Sequence, residues 1–196
     1  MTSASAPAVK RFGQGALATP ANFVTVARIL VAVPTLVLIY NRGSSWLTVG
    51  LWFVITSTDS FDGWLARRDG ATRSGAFLDP VADKLIVLGG LAVLAQRGDI
   101  AWLPVVLIAA REFGISAYRS FAGRRGISLP AQRLGKYKAF TQYLSVGVVL
   151  LPWTADDVGL QQFVLGVAVA FTIVSGLAIL RRGYGRGATV GAMTKG

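Results

Sequence analysis

Four aspartates, Asp59, Asp62, Asp79 and Asp83, have the types and spacing to do chemistry. They stand in Asp59-Ser-Phe-Asp62-Gly63-Trp-Leu-Ala66-Arg67 and, seven residues on, in Gly75-Ala-Phe-Leu-Asp79-Pro-Val-Ala-Asp83; the whole chain has nine acidic residues. The spacings i,i+3 and i,i+4 put each pair on one helix face. Two helices presenting such pairs to each other build a cage of oxygen ligands suited to hard divalent cations. Two such ions about four ångströms apart bridge phosphate oxygens, neutralise developing charge and orient an in-line displacement. Phosphoryl transfer on two metal ions is the chemistry indicated.

The neighbours of the aspartates fit that use. Gly63 and Ala66 follow Asp59 by four and seven residues, so they line the same face and let a ligand approach the backbone. Arg67 lies a little over one turn beyond Asp62, where a guanidinium can meet a diphosphate. Gly75 permits a turn or close packing just before the second pair. Ion pairing with Arg67, Arg68, Arg73 and Lys84 at a membrane boundary is the alternative. It suits a single aspartate, but carboxylates at membrane depth are costly and mark function. The chain has no cysteine and no histidine. Disulfides, thiolate nucleophiles, Ser-His-Asp triads and zinc sites with Cys or His ligands are therefore excluded. Acid–base work falls to carboxylates, Lys, Tyr or water.

The elements that must position these groups are helices in lipid. The chain of 196 residues is 53% hydrophobic and only 15% charged, with a mean hydropathy of +0.55. Six apolar segments fall near 22–40, 46–66, 76–96, 101–121, 134–153 and 160–180. Several reach the roughly eighteen residues of a span only when polar helix ends are included. That is expected where polar ends enclose a shared site. Pro34 and Pro104 lie inside segments, which membrane helices tolerate.

The net charge of +11 is unevenly placed. Connections 41–45 and 97–100 hold one base each, and 154–159 holds none. The other side carries Lys10, Arg11, Arg67, Arg68, Arg73, Arg124, Arg125, Arg133, Lys136, Lys138, Arg181, Arg182, Arg186 and Lys195. Both termini and the aspartates should then face the cytoplasm. The bases lie between apolar runs, so they answer to an anionic membrane surface and anionic substrates, with no nucleic acid partner. Residues 1–19 read as a flexible basic tail without the apolar core of a signal peptide. Residues 20–182 form the helical domain, and the Gly-rich 183–196 reads as a flexible tail.

Two further polar sets enter the apolar segments. Asn22, Thr25 and Arg28 form one stripe on the first helix. The stripe is either part of the site or a helix cap with a snorkelling arginine. Arg111 and Arg119, at i,i+8, share one broad face of the fourth helix, and Lys136 and Lys138 open the fifth. Cations converging on a cytoplasmic cavity suit an acceptor that itself carries phosphate. Positive-inside topology explains Arg124 and Arg125, but it does not explain Arg111 in mid-segment. Neighbours on a helix do not face each other, so Glu112 is expected to pair with a cation of another helix and not with Arg111.

The pattern D-x2-D-G-x2-A-R-x7-G-x3-D-x3-D, matched at every fixed position from Asp59 to Asp83, resembles the signature of the CDP-alcohol phosphotransferase family. The resemblance implies an all-α integral membrane protein with six transmembrane helices around a cytoplasm-facing polar cavity, usually a homodimer, in the bacterial plasma membrane. It implies transfer of a phosphatidyl or similar group from a CDP-linked donor to an alcohol, with release of CMP. By the same resemblance Asp59, Asp62, Asp79 and Asp83 hold two Mg²⁺ or Mn²⁺ ions, and Asp83 is the base. Asn22, Thr25, Arg28, Gly63, Ala66, Arg67 and Gly75 would bind the CDP donor.

Ala110-Arg-Glu-Phe-Gly-Ile-Ser-Ala-Tyr-Arg119 and Leu134-Gly-Lys-Tyr-Lys-Ala-Phe-Thr-Gln142 are similar to bacterial phosphatidylglycerophosphate synthases. The implied donor is CDP-diacylglycerol and the implied acceptor sn-glycerol 3-phosphate, held by Arg111, Arg119, Lys136 and Lys138. Ala139 departs from the Thr common there. Inositol phosphate or phosphatidylglycerol would serve as acceptor in the same chemistry. A divalent-cation transporter would also use membrane carboxylates, but Arg67 would repel its cargo.

Overall fold

The computed structural model describes the backbone of residues 20–69, 73–124 and 133–193, and the side chains of 23–58, 80–124 and 137–182. Six helices make up nearly all of it: α1 (Pro20–Arg42), α2 (Trp46–Asp69), α3 (Arg73–Arg97), α4 (Trp102–Arg124), α5 (Arg133–Leu150) and α6 (Val158–Met193). Each coincides with one apolar segment of the sequence. One end differs from expectation. α5 stops at Leu150, short of 153, because Pro152 has no N–H to donate; a 3₁₀ turn over Pro152–Thr154 follows. The backbone of α6 runs on to Met193, since a formed helix propagates by one bond per added residue.

Local signals set the ends on one side of the bundle. Gly43 takes φ +65° and its N–H closes α1 on Ile39 O at 2.8 Å. Gly98 takes φ +85°, and Gly98 and Asp99 donate to Ala95 O and Leu94 O at 3.1 and 3.0 Å. Both are glycine-dependent C-terminal caps. Ser45 Oγ caps α2 by accepting from Thr48 N at 3.2 Å, and Asp157 Oδ1 caps α6 by accepting from Leu160 N at 2.9 Å.

The helices pack as a ring in the order α1, α2, α5, α6, α4, α3, with α3 and α5 also touching across the middle. Trp52 is the bolt of that crossing. It is buried, and a Cβ on Gly90 of α3 would come within 2.7 Å of its ring. Only glycine lets α3 approach so closely. On α1 the inward seam is Thr25, Arg28, Ala32, Thr35 and Ile39, all buried. Thr35 returns its hydroxyl to Val31 O at 2.8 Å, so the buried oxygen is satisfied.

The exterior has the opposite chemistry. Phe23, Leu30, Val33, Phe53, Leu103, Phe113 and Phe163 point outward, while Glu112, Lys138, Gln142, Thr172 and Ser175 are buried. A soluble monomer does not expose such continuous apolar surface; lipid removes the penalty. Among the described residues α1 and α6 (Phe23–Arg42 and Val158–Arg182) are each long and apolar enough to cross a membrane. Trp46, Trp102 and Trp153, at helix starts on the side away from the basic connections, are exposed, as aromatics at a membrane–water boundary are.

Candidate active site

Helices α3, α4, α5 and α6 enclose a cavity of about 480 Å³ on the side of the basic connections. α3 lends Asp83 and Lys84, α4 lends Arg111, Glu112 and Arg119, α5 lends Lys138, and α6 lends Ser175. Among the described residues the wall holds four cations against two carboxylates. The excess of positive charge asks for an anionic ligand.

Arg111 is the most firmly placed of the four. Its Nε donates to Thr172 O at 3.1 Å, Nη2 to Ser175 Oγ at 2.9 Å and Nη1 to Glu112 Oε1 at 3.0 Å. Glu112 Oε1 also accepts from Lys138 Nζ at 2.6 Å. Lys138 is thus the expected cation from another helix. The expectation that Arg111 and Glu112 do not meet is corrected. Thr172 and Ser175 draw the guanidinium to α6, and its far nitrogen then comes round to the neighbouring carboxylate. One buried acid between two cations is a low-cost arrangement compared with any of the three alone.

Asp83, half-buried, faces the cavity from α3, the helix that crosses the ring. The Tyr143 hydroxyl of α5 donates to Asp83 Oδ1. The backbone carbonyl of Tyr143 accepts from Trp52 Nε1 at 3.1 Å. Asp83 is therefore positioned through α5 from the bolt of the fold.

The structure brings Asp83, Arg111, Arg119 and Lys138 together on one wall, whereas the sequence placed Asp83 with the other aspartates and the three cations in a separate acceptor set with Lys136. Thr25 and Arg28 are buried on α1 and are not among the described residues of this cavity. α1 packs instead on α2 and α3. Asp59, Asp62, Gly63, Ala66 and Arg67 lie on α2, Gly75 and Asp79 on α3, Asn22 on α1 and Lys136 on α5. Their side chains lie outside the described residues. Lys84, Tyr143 and Ser175 were given no part in the site by sequence. Lys84 is legible as the neighbour of Asp83, but Tyr143 and Ser175 stand out in no motif and become site residues only through the crossing of α5 and the packing of α6.

A lipid-facing helical bundle with an electropositive inner cavity beside a carboxylate defines a class, the integral membrane proteins that handle anionic substrates. A model of the CDP-alcohol phosphatidyltransferase family matches residues 18–174. The chain belongs to this family, and is thus a membrane-bound transferase of phospholipid synthesis. It is 36% identical over 176 residues to a "Probable phosphatidylglycerophosphate synthase" of Mycobacterium tuberculosis, covering 87% of this chain and 84% of the relative. It is similar to two proteins named CDP-diacylglycerol–glycerol-3-phosphate 3-phosphatidyltransferase. That of Bacillus subtilis is 35% identical over 176 residues, covering 79% and 90% of the two chains. That of Sodalis glossinidius is 38% identical over 162 residues, covering 79% and 85%.

Proposed function

We propose that the protein transfers the phosphatidyl group of CDP-diacylglycerol to sn-glycerol 3-phosphate, giving phosphatidylglycerophosphate and CMP. The observation that carries this reading is the shared wall of Asp83 and three cations, Arg111, Arg119 and Lys138. A general base and a phosphate-binding set must face one space when the attacking alcohol carries its own phosphate. The names of the similar proteins support the same donor and acceptor.

In this reading the acceptor's phosphate lies against Arg111, Arg119, Lys136 and Lys138, and its free primary hydroxyl points to Asp83. Asp83 takes the hydroxyl proton as the oxygen attacks the lipid-side phosphorus. The bond from that phosphorus to the oxygen shared with CMP breaks, and CMP leaves with the electron pair. Tyr143 keeps the Asp83 carboxylate oriented throughout. Asn22, Thr25, Arg28, Gly63, Ala66, Arg67 and Gly75 hold the cytidine diphosphate. The donor set fits hard cations, since the chain offers carboxylates and no histidine or cysteine. Asp59, Asp62, Asp79 and Asp83 would hold two Mg²⁺ or Mn²⁺ ions, which stabilise charge on the diphosphate when bound. All six helices span the bilayer, the cavity opens to the cytoplasm, and two copies form the dimer.

Purified protein given CDP-diacylglycerol and radiolabelled glycerol 3-phosphate should make a labelled lipid and one CMP per lipid. Consumption of only myo-inositol phosphate or phosphatidylglycerol would overturn the acceptor. Asp83→Asn should lower turnover by about 10³-fold, within the range of a lost general base, while CDP-donor binding stays measurable. Near-normal turnover removes Asp83 from that role.

A further inference from the structure

We propose that α6, through Ser175, Gly176 and the carbonyl of Thr172, is the positioning element for the acceptor's phosphate, acting through Arg111. The proposal rests on the reading of Arg111 as an acceptor-binding residue. No motif of the sequence points to α6, which is the most apolar of the helices that line the cavity.

The geometry gives the reason. A guanidinium carries five N–H donors in a fixed plane. Three of them are used by Thr172 O, Ser175 Oγ and Glu112 Oε1. Among the described residues that leaves one N–H on each terminal nitrogen for a ligand, the pair an incoming phosphate needs for a two-point contact. The plane is set from α6 at two points. Thr172 O accepts both Arg111 Nε and, at 3.0 Å, Ser175 Oγ, so the two residues are also tied to each other. Gln142 of α5 donates to Thr172 Oγ1 at 2.8 Å and holds that turn of α6 against α5.

Gly176 supplies the space. A Cβ there would lie 3.3 Å from both Cγ and Nε of Arg111. The arginine would have to move by a few tenths of an ångström, and three hydrogen bonds oppose the move. A guanidinium that turns loses its two-point match to phosphate long before it loses its charge. α6 therefore acts on recognition of the acceptor, and the donor and the chemical step are left alone.

Steady-state kinetics on the purified full-length protein, with CDP-diacylglycerol and sn-glycerol 3-phosphate varied separately, tests this. Gly176→Ala and Ser175→Ala should each raise the acceptor KM about tenfold, as expected for misplacing one charge-assisted contact. The donor KM and kcat should stay within about twofold. Ser175→Thr, which keeps the hydroxyl, should restore most of the loss. Gly176→Ala is diagnostic because Ala is the better helix former: a purely structural role for Gly176 predicts an equal or higher melting temperature with unchanged kinetics. The proposal is overturned if both variants leave the acceptor KM unchanged, or if kcat and both KM values worsen together with the melting temperature. Should Gly176→Ala fail to purify, the contrast of Ser175→Ala with Ser175→Thr decides. Arg111→Ala separates the two levels. An unchanged acceptor KM in that variant defeats the reading of Arg111 itself, whereas a large rise with silent α6 variants defeats only the role of α6.

Discussion

Arg97, at the end of α3, and Arg111, in the middle of α4, are held by nearly the same devices. Each pairs with an acid close in sequence, Arg97 with Asp99 at 2.8 Å and Arg111 with Glu112 at 3.0 Å. Each donates to a backbone carbonyl of another helix, Tyr40 O for Arg97 and Thr172 O for Arg111. Each lies against a glycine whose Cβ would crowd it, Gly43 and Gly176. What differs is the surroundings. Arg97 fills the end of α1, whose last carbonyls need donors, and it meets no further cation among its described partners. Arg111 faces a cavity with Lys84, Arg119 and Lys138. The same local chemistry is a helix cap where the charges balance; where they do not, it is the group proposed to bind the acceptor's phosphate.

The sharpest way to break that comparison is to truncate both arginines to glutamine. Arg111→Gln should lower kcat/KM for the acceptor by roughly 10- to 100-fold, the range for a lost hydrogen bond to a charged group. Its effect on melting temperature should be smaller, because Lys138 still satisfies Glu112. Arg97→Gln should do the reverse, with kinetics unchanged and a lower melting temperature. If Arg97→Gln raises the acceptor KM as much as Arg111→Gln does, the two positions are coupled and the contrast fails.

A smaller effect is expected from Gly43→Ala. At φ +65° an L-residue carries a penalty of about 1–2 kcal/mol. The added Cβ would lie 2.2 Å from Arg97 Nη2, so the cap on Tyr40 O is lost as well. A destabilisation of about 2 kcal/mol by chemical denaturation, with unchanged acceptor kinetics, is the outcome that keeps Arg97 structural. A stability equal to that of the parent would mean that the Gly43 conformation is not required.

These contrasts also mark where sequence reading stops. Six helices were legible because apolar runs are local features. That Arg111 and Arg119 share one face of the fourth helix was legible because helix faces follow from spacing, and their meeting with Asp83 on one wall appears only in the fold. The Arg111–Glu112 pair was misjudged since spacing alone cannot see a long side chain pulled aside by a third helix. Tyr143, Ser175 and Gly176 were not legible at all. Their roles come from helices that meet only in the ring, and a serine beside a glycine in an apolar run has no signature of its own.

The weakest of the expected effects concerns Trp153, which is 82% exposed and meets Trp46 edge-on with ring centroids 4.9 Å apart. An exposed aromatic pair contributes about 0.5–1.5 kcal/mol beyond its buried area. Trp153→Ala should therefore cost about 0.5–1.5 kcal/mol of stability and leave both KM values within about twofold of the parent. The reason is distance along the helices rather than weakness alone. Trp153 follows α5 at its far end, whereas Lys138 lies in the first two turns of the same helix. A perturbation there must cross the packed layer of Trp52, Leu91 and Val146, all buried, before it reaches the cavity. If Trp153→Ala changes the acceptor KM at near-parent stability, that layer transmits motion, and the far end is part of the catalytic machine rather than its anchor.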